Sequence, residues 1–190
     1  LEHVDIIVVQ NQTTTGSGET FAPTREAVSL AVKSGITVVG AAGNASHELT
    51  VEARHDSGSI LVGAVRRGGA MANFSNFGRR VTVAAFGENL HTLYGPQGRM
   101  DTFGGTTGAT AQVAAAVALM LEVNPELTPR EVRKILIDTR VTTAENADVG
   151  GQLDILKAVE AAKLVPRAAP RHDDALKLRR QVQKILRGEL

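Results

Sequence analysis

Four short apolar runs punctuate the first half of the chain, at residues 4–10 (VDIIVVQ), 36–44 (ITVVGAAGN), 59–65 (SILVGAV) and 81–87 (VTVAAFG). Each is rich in Val, Ile or Ala and lacks apolar/polar alternation, the pattern of a strand buried on both faces. Between the first two, FAPTREAVSLAVKSG switches to a helical period. Pro23 suits a first turn, Ala27, Val28, Ala31 and Val32 share one face, and Gly35 supplies the stop. Strand, helix, strand in that order predicts a right-handed parallel unit. The expected fold class is therefore α/β, a parallel sheet of about four strands covered by helices on both faces, with a C-terminal helical tail.

Further along, LHTLYGPQGRMDTF (90–103) predicts a hairpin around Gly-Pro-Gln-Gly. From about Thr107 to Glu122 nearly every residue is apolar, so this helix is expected to be central and buried all round. In NPELTPREVRKILIDT, Thr128, Pro129 and Glu131 carry the signature of a capping box, with Val132, Ile135 and Leu136 facing inward. One more amphipathic helix, GGQLDILKAVEAAKL, closes a domain placed at 1–162. Residues 163–171 read as a linker and 172–190 as a separate basic amphipathic helix, in which Ala175, Leu178, Val182 and Ile185 recur at helical spacing. That seam covers about two heptads, enough to dock on a protein partner but short for a coiled coil alone.

Composition narrows the picture. The chain is 43% hydrophobic but only 3% aromatic, without Trp, so its core must be built from small aliphatic side chains and closely approaching glycines. The net charge of +1 gives no reason to expect a nucleic-acid partner, although the segment 163–190 is basic and the remainder acidic. With no cysteine there is no disulfide framework or thiol nucleophile, and the compartment stays open. No apolar run is expected to span a membrane. The start at Leu1, running almost at once into a strand, reads as part of a longer product.

Two segments invite chemistry. Asn44, ending AAGN, is either a left-handed turn residue beside Gly43 or a side-chain amide donor held on a tight strand-end turn. Thr107, in FGGTTGATAQ, is either an ordinary helix N-cap or a hydroxyl placed where a helix N-terminus favours negative charge. Other motifs carry less. GSGET lacks the spacing and Lys of a phosphate loop and reads as a turn before a helix, Asn73 in NFSNFG as a turn, and Asp173 and Asp174 in HDD as caps. No cofactor motif and no metal-ligand spacing is evident.

The segments SGITVVGAAGN, SILVGAVRRGGAMANFSNFG and GGTTGATAQVAAAVALMLEVNPELTPREVRKIL, in this order, resemble the C-terminal half of the subtilisin-like serine peptidases, the subtilases, from about Val4 to Ala162. The resemblance implies a role for Asn44 as the amide that donates to the oxyanion of the tetrahedral intermediate. It places Thr107 where the family carries its nucleophilic serine. It also implies substrate-binding positions at Gln10, Asn11, Gln12, Gly43, Gly105 and Thr106.

The departures are specific. The family's MASPH after the nucleophile is GATAQ here, so Gly108, Ala111 and Gln112 replace methionine, proline and histidine; the SLGG strand end, which pairs with substrate backbone, is Gln10, Asn11, Gln12 and Thr13. The family's Asp and His motifs would precede Leu1, and none of His3, His47, His55, His91 and His172 stands in such a motif, although His47 is near Asn44 in sequence. A threonine's extra methyl restricts χ1, and an internal hydroxyl without a base is a poor nucleophile.

Three readings follow. The chain is a subtilase-fold domain inactive as a protease that works by binding or scaffolding; or it is the C-terminal part of an active subtilisin-like endopeptidase whose Asp and His lie upstream; or its basic helix is the functional part, binding an acidic partner or a membrane surface. The resemblance also implies one sheet edge where earlier strands normally pair, so an N-terminal half of the same fold, a partner chain or a dimer contact is expected there.

Overall fold

The computed structural model describes residues 4–96 and 98–166. The four apolar runs pair in chain order into one parallel sheet, β1 (Ile6–Val9), β2 (Thr37–Ala41), β3 (Ile60–Val65) and β4 (Val83–Phe86). The register sets Val8 beside Val39, Ala41 beside Val62 and Ala64 beside Ala85. Two-residue periodicity then divides the core. Ile60, Val62, Ala64, Val83 and Ala85 face one side, and Leu61, Val65 and Ala84 face the other.

The first side receives α3 (Thr106–Val123), with α4 (Pro129–Thr139) and α5 (Ile155–Leu164) packed around it. Val113, Val117, Met120, Val132, Leu136 and Ala158 complete that core. α1 (Ala22–Lys33) and the short α2 (Thr50–Arg54) lie in the crossovers between β1, β2 and β3, which right-handed connection carries to the opposite face. On that face Leu49, Val81 and Val149 join the inward residues of β3 and β4. β5 (Leu90–Tyr94) and β6 (Gly98–Phe103) form the hairpin, antiparallel and separate from the sheet.

The termini of the helices obey local rules. Pro23 sits in the first turn of α1, and Gly35 beyond its end has φ +83°. At α4 the capping box is complete: Thr128 Oγ1 accepts from the Glu131 N–H, and Glu131 Oε2 accepts from the Thr128 N–H.

Three expectations need correction. Ala27 is exposed, leaving Val28 as the fully buried residue of α1's inner face, which packs on β2 and on the turn at Gly18–Thr20. α3 is central, since it touches all four strands, yet not buried all round: Ala111, Ala115, Ala118 and Leu119 face outward, Leu119 with 51% of its surface exposed. Its 18 residues are also long and apolar enough, by length and composition, to cross a membrane, a property that a core helix of this kind shares.

β1 differs in kind from β2 and β3. It pairs with β2 alone and Val8 keeps 45% of its surface, so its outer edge has no strand partner among the described residues. The other edge is partly covered: the Ala84 N–H donates to Gly151 O at 2.8 Å and the Leu153 N–H to Ala84 O at 2.7 Å. α5 runs through Leu164, two residues past the expected domain end. The linker from residue 167 onward and the basic helix at 172–190 lie outside the described residues.

Candidate active site

In parallel sheets, sites gather where strands end and helices begin. The ends of β1 and β2 and the start of α3 meet here, and they bring Gln10, Gln12, Gly43, Asn44, Gly105, Thr106 and Thr107 together. Asn44 is held through its side-chain oxygen: Oδ1 accepts from the Thr106 N–H at 2.8 Å and from the Thr106 hydroxyl at 3.0 Å. A backbone N–H can only donate, so the orientation of this amide is fixed chemically. Its Nδ2 then points away from Thr106 and meets no acceptor among the described residues. Thr106 is itself buried, and its hydroxyl accepts from the Gly43 N–H at 3.1 Å.

Asn44 is not a left-handed turn residue. The positive φ angles of this turn belong to Gly43 (+102°) and Ser46 (+53°), so backbone conformation does not account for the asparagine, whereas its side-chain bonds do. Nor is Thr107 an N-cap. Gly105, with φ +92° and ψ +169°, takes that position, in a region that only glycine populates readily. Thr107 is the second residue of α3, half-buried, and its hydroxyl donates to Gly104 O at 3.3 Å. A Cβ on Gly105 would stand 3.2 Å from Thr107 Oγ1 and 3.3 Å from Asn44 Nδ2. The bare glycine therefore opens onto a small volume shared by a hydroxyl and an amide donor.

The polar end of β1 reaches into the same place. Gln10 Nε2 donates to Thr107 O at 3.1 Å, and Gln12 Oε1 accepts from the Asn44 N–H at 2.9 Å. Asn11 does not join them: its side chain lies against Gly18, and its carbonyl accepts from the Gly18 N–H.

The Subtilase family model matches residues 8–161. The chain belongs to the subtilase family. It is 35% identical over 127 residues to subtilisin DY of Bacillus licheniformis, covering 64% of this chain and 46% of that protein. It is 38% identical over 128 residues to subtilisin amylosacchariticus of Bacillus subtilis subsp. amylosacchariticus, covering 65% and 32% respectively. Among solved structures, a mutant of the PatA protease domain aligns at TM-score 0.71 and 28% identity over 86% of this chain and 62% of that one. A protease of Pseudoalteromonas arctica aligns at 0.68 and 28%, over 82% and 51%. The chain spans less than half the length of the two subtilisins.

Within this subtilase-fold chain, the residues after Thr107 are held by close packing and side-chain hydrogen bonds. A Cβ on Gly108 would lie 2.5 Å from Leu90 Cδ1 and 3.1 Å from Phe103 Cε1, so the hairpin packs too closely on α3 for a larger side chain at this position. Gln112 Nε2 donates to Phe86 O at 2.6 Å and to Gly108 O at 3.1 Å, tying α3 to the end of β4. His47 lines a small polar hollow with Thr15, Thr20, Glu48 and Glu52. His91 pairs with Asp101 at 2.8 Å on the exposed hairpin.

Two features escaped the sequence. GSGET, read as a simple turn, is a buried polar anchor. Glu52 Oε1 accepts from the Ser17 N–H at 3.0 Å, the Ser17 hydroxyl at 2.8 Å and the Thr20 hydroxyl at 2.6 Å. Glu19, buried with Ser57 and Ser59 as hydroxyl donors, faces Arg80 Nη2 at 3.5 Å. Arg80 also meets Asp56 at 3.3 Å, and Asp56 accepts both arms of Arg133. Burial pushes the Glu52 carboxyl up, but the hydrogen bonds from Thr20 and Ser17 outweigh it and hold Glu52 below its ordinary value. Asp56 is likewise depressed, with burial opposed by Arg133 and Arg80, and burial lowers Arg80 despite Glu19 and Asp56. The second feature is Asn76 in NFSNFG, a fully buried asparagine beneath the Asn44 turn.

Proposed function

We propose that this chain, on its own, does not hydrolyse peptides and acts through binding or scaffolding, while keeping the oxyanion arm of a subtilisin-like site. The observation that carries this reading is the Thr107 hydroxyl. It stands at the nucleophile position with a methyl on the same carbon, and it donates to the Gly104 carbonyl instead of to an imidazole. Acyl transfer needs a base within hydrogen-bond reach of the attacking hydroxyl. The glutamine contacts point the same way, because they spend polar groups at the end of β1 on Thr107 and Asn44. Scaffolding also suits the outer edge of β1, unpaired among the described residues, which fits an added strand from an N-terminal half, a partner chain or a second copy. A protein partner for the basic segment 172–190 belongs to the same proposal.

One observation favours a second reading. Asn44 presents an unpaired donor beside Thr107, which is the arrangement an oxyanion requires. On that reading the chain is the C-terminal part of a serine-type endopeptidase completed by an upstream segment carrying Asp and His. Hydrolysis of a mixed fluorogenic peptide library tests the two. The purified chain is expected to show no turnover above buffer. Turnover that disappears in Thr107→Ala would overturn the first reading. Turnover that appears only when the upstream segment is supplied would establish the second.

A further inference from the structure

The buried polar groups beneath the site converge on one side chain that neither the resemblance nor the reaction chemistry assigns. Asn76 is fully buried and makes four side-chain hydrogen bonds. Oδ1 accepts from the Ala45 N–H at 3.0 Å and the His47 N–H at 2.9 Å. Nδ2 donates to Thr15 O at 3.0 Å and Ala42 O at 2.8 Å. Its own N–H donates to Gly43 O at 2.9 Å, and a Cβ on Gly43 would stand 2.5 Å from its Nδ2. Two N–H donors and two carbonyl acceptors fix which end of the amide is which, and both acceptor sites of Oδ1 and both donors of Nδ2 are used.

These partners are not scattered. Ala42, Gly43, Ala45 and His47 are the backbone on both sides of Asn44, and Thr15 belongs to the polar loop that follows Gln12. We propose that Asn76 is the positioning residue of the site: it fixes the turn that aims the Asn44 amide and couples that turn to the loop of Gln12. Asn44 is thereby held from two directions, its side chain by Thr106 and its backbone by Asn76. Satisfied buried networks of this kind hold a geometry more tightly than their separate bonds suggest. The inference rests on the reading of Asn44 as an oxyanion donor, but it concerns where Asn44 is held, which can be measured without turnover.

The test is amide hydrogen exchange by NMR on the full chain, wild type beside Asn76→Ala. The informative amide is Thr106, which bonds Asn44 Oδ1 and makes no hydrogen bond to Asn76. Its exchange is expected to accelerate by about tenfold, the upper range for one net hydrogen bond, while Val62 and Val83 in the sheet keep their protection. Faster exchange at Ala45 and His47 with Thr106 unchanged would overturn the proposal, reducing Asn76 to a local brace. Should Asn76→Ala not fold, Asn44→Ala reads the same coupling in reverse, because linkage is reciprocal. Exchange at Ala45 and His47 must then rise, and unchanged exchange there would overturn the proposal. Coupling found in a chain whose assembled form is indifferent to Asn44→Ala in catalysis would remove the oxyanion reading and leave the positioning role standing.

Discussion

Gly105 decides the geometry of the site at the scale of single residues. Its backbone angles belong to a region costing other residues about 1–3 kcal/mol, and its missing Cβ leaves the space between Thr107 Oγ1 and Asn44 Nδ2 open. Gly105→Ala is therefore expected to destabilise the fold by at least that amount, seen as a lower urea midpoint with an unchanged slope. The identities of Asn44, Thr106 and Thr107 were legible in the sequence because turn glycines and an apolar helix bracket them. Their roles were not. Whether an asparagine serves its own backbone or a neighbour depends on φ and on what lies across the chain, and Thr106 is 62 residues away. Asn76 was opaque for the same reason: its partners come from residues 15, 42, 45 and 47, and nothing in NFSNFG encodes them.

Elements show where local rules suffice and where they fail. The α4 capping box needed only three residues of spacing and appears as read. Thr128→Ala removes it and is expected to cost about 1 kcal/mol, lowering the thermal midpoint by about 2–4 °C, as calorimetry would show. The segment 15–20 needed more, because its carboxylate and hydroxyl groups find partners on α2 and on the approach to β3. Arg80, with 2% of its side chain exposed, is the cation of that cluster. Arg80→Met leaves Glu19 buried without it, and a loss of about 3–5 kcal/mol is expected. The double variant Glu19→Gln with Arg80→Met should recover part of the loss, a coupling that denaturant titration of the four proteins measures. α3 teaches the complementary lesson. Uniform hydropathy announced a central helix but could not say that one face would lack a neighbour among the described residues, since Ala and Leu read alike on either side.

At the scale of the whole molecule, the parallel sheet was legible because four β-branched runs and right-handed crossovers leave few alternatives. The edge of β1 that has no strand partner among the described residues was visible only through the family resemblance. Val8→Lys is expected to reduce any concentration-dependent self-association in sedimentation velocity, since an edge lysine opposes strand addition. Stability should depend on pH through Glu52 and Asp56. Their folded values lie below their unfolded ones, so the unfolded state binds more protons in the acid window. Their contribution is complete above the unfolded values of about 4.3 and 3.9 and is lost as pH falls through the depressed folded values. The urea midpoint should be level from neutral pH to about pH 5 and fall below about pH 4. Thr20→Val, which deletes one hydrogen bond to Glu52, should make that fall shallower.

We propose that this subtilase-fold chain keeps an amide donor at Asn44 and has, among its described residues, no base to activate the Thr107 hydroxyl. Intact-mass analysis after exposure to a fluorophosphonate tests it most directly, with wild type beside Thr107→Ser. Both proteins are expected to emerge unmodified, because among the described residues the hydroxyl at position 107 donates to the Gly104 carbonyl and not to a base. A single phosphonyl adduct on the wild-type chain, mapped to Thr107, would contradict the account.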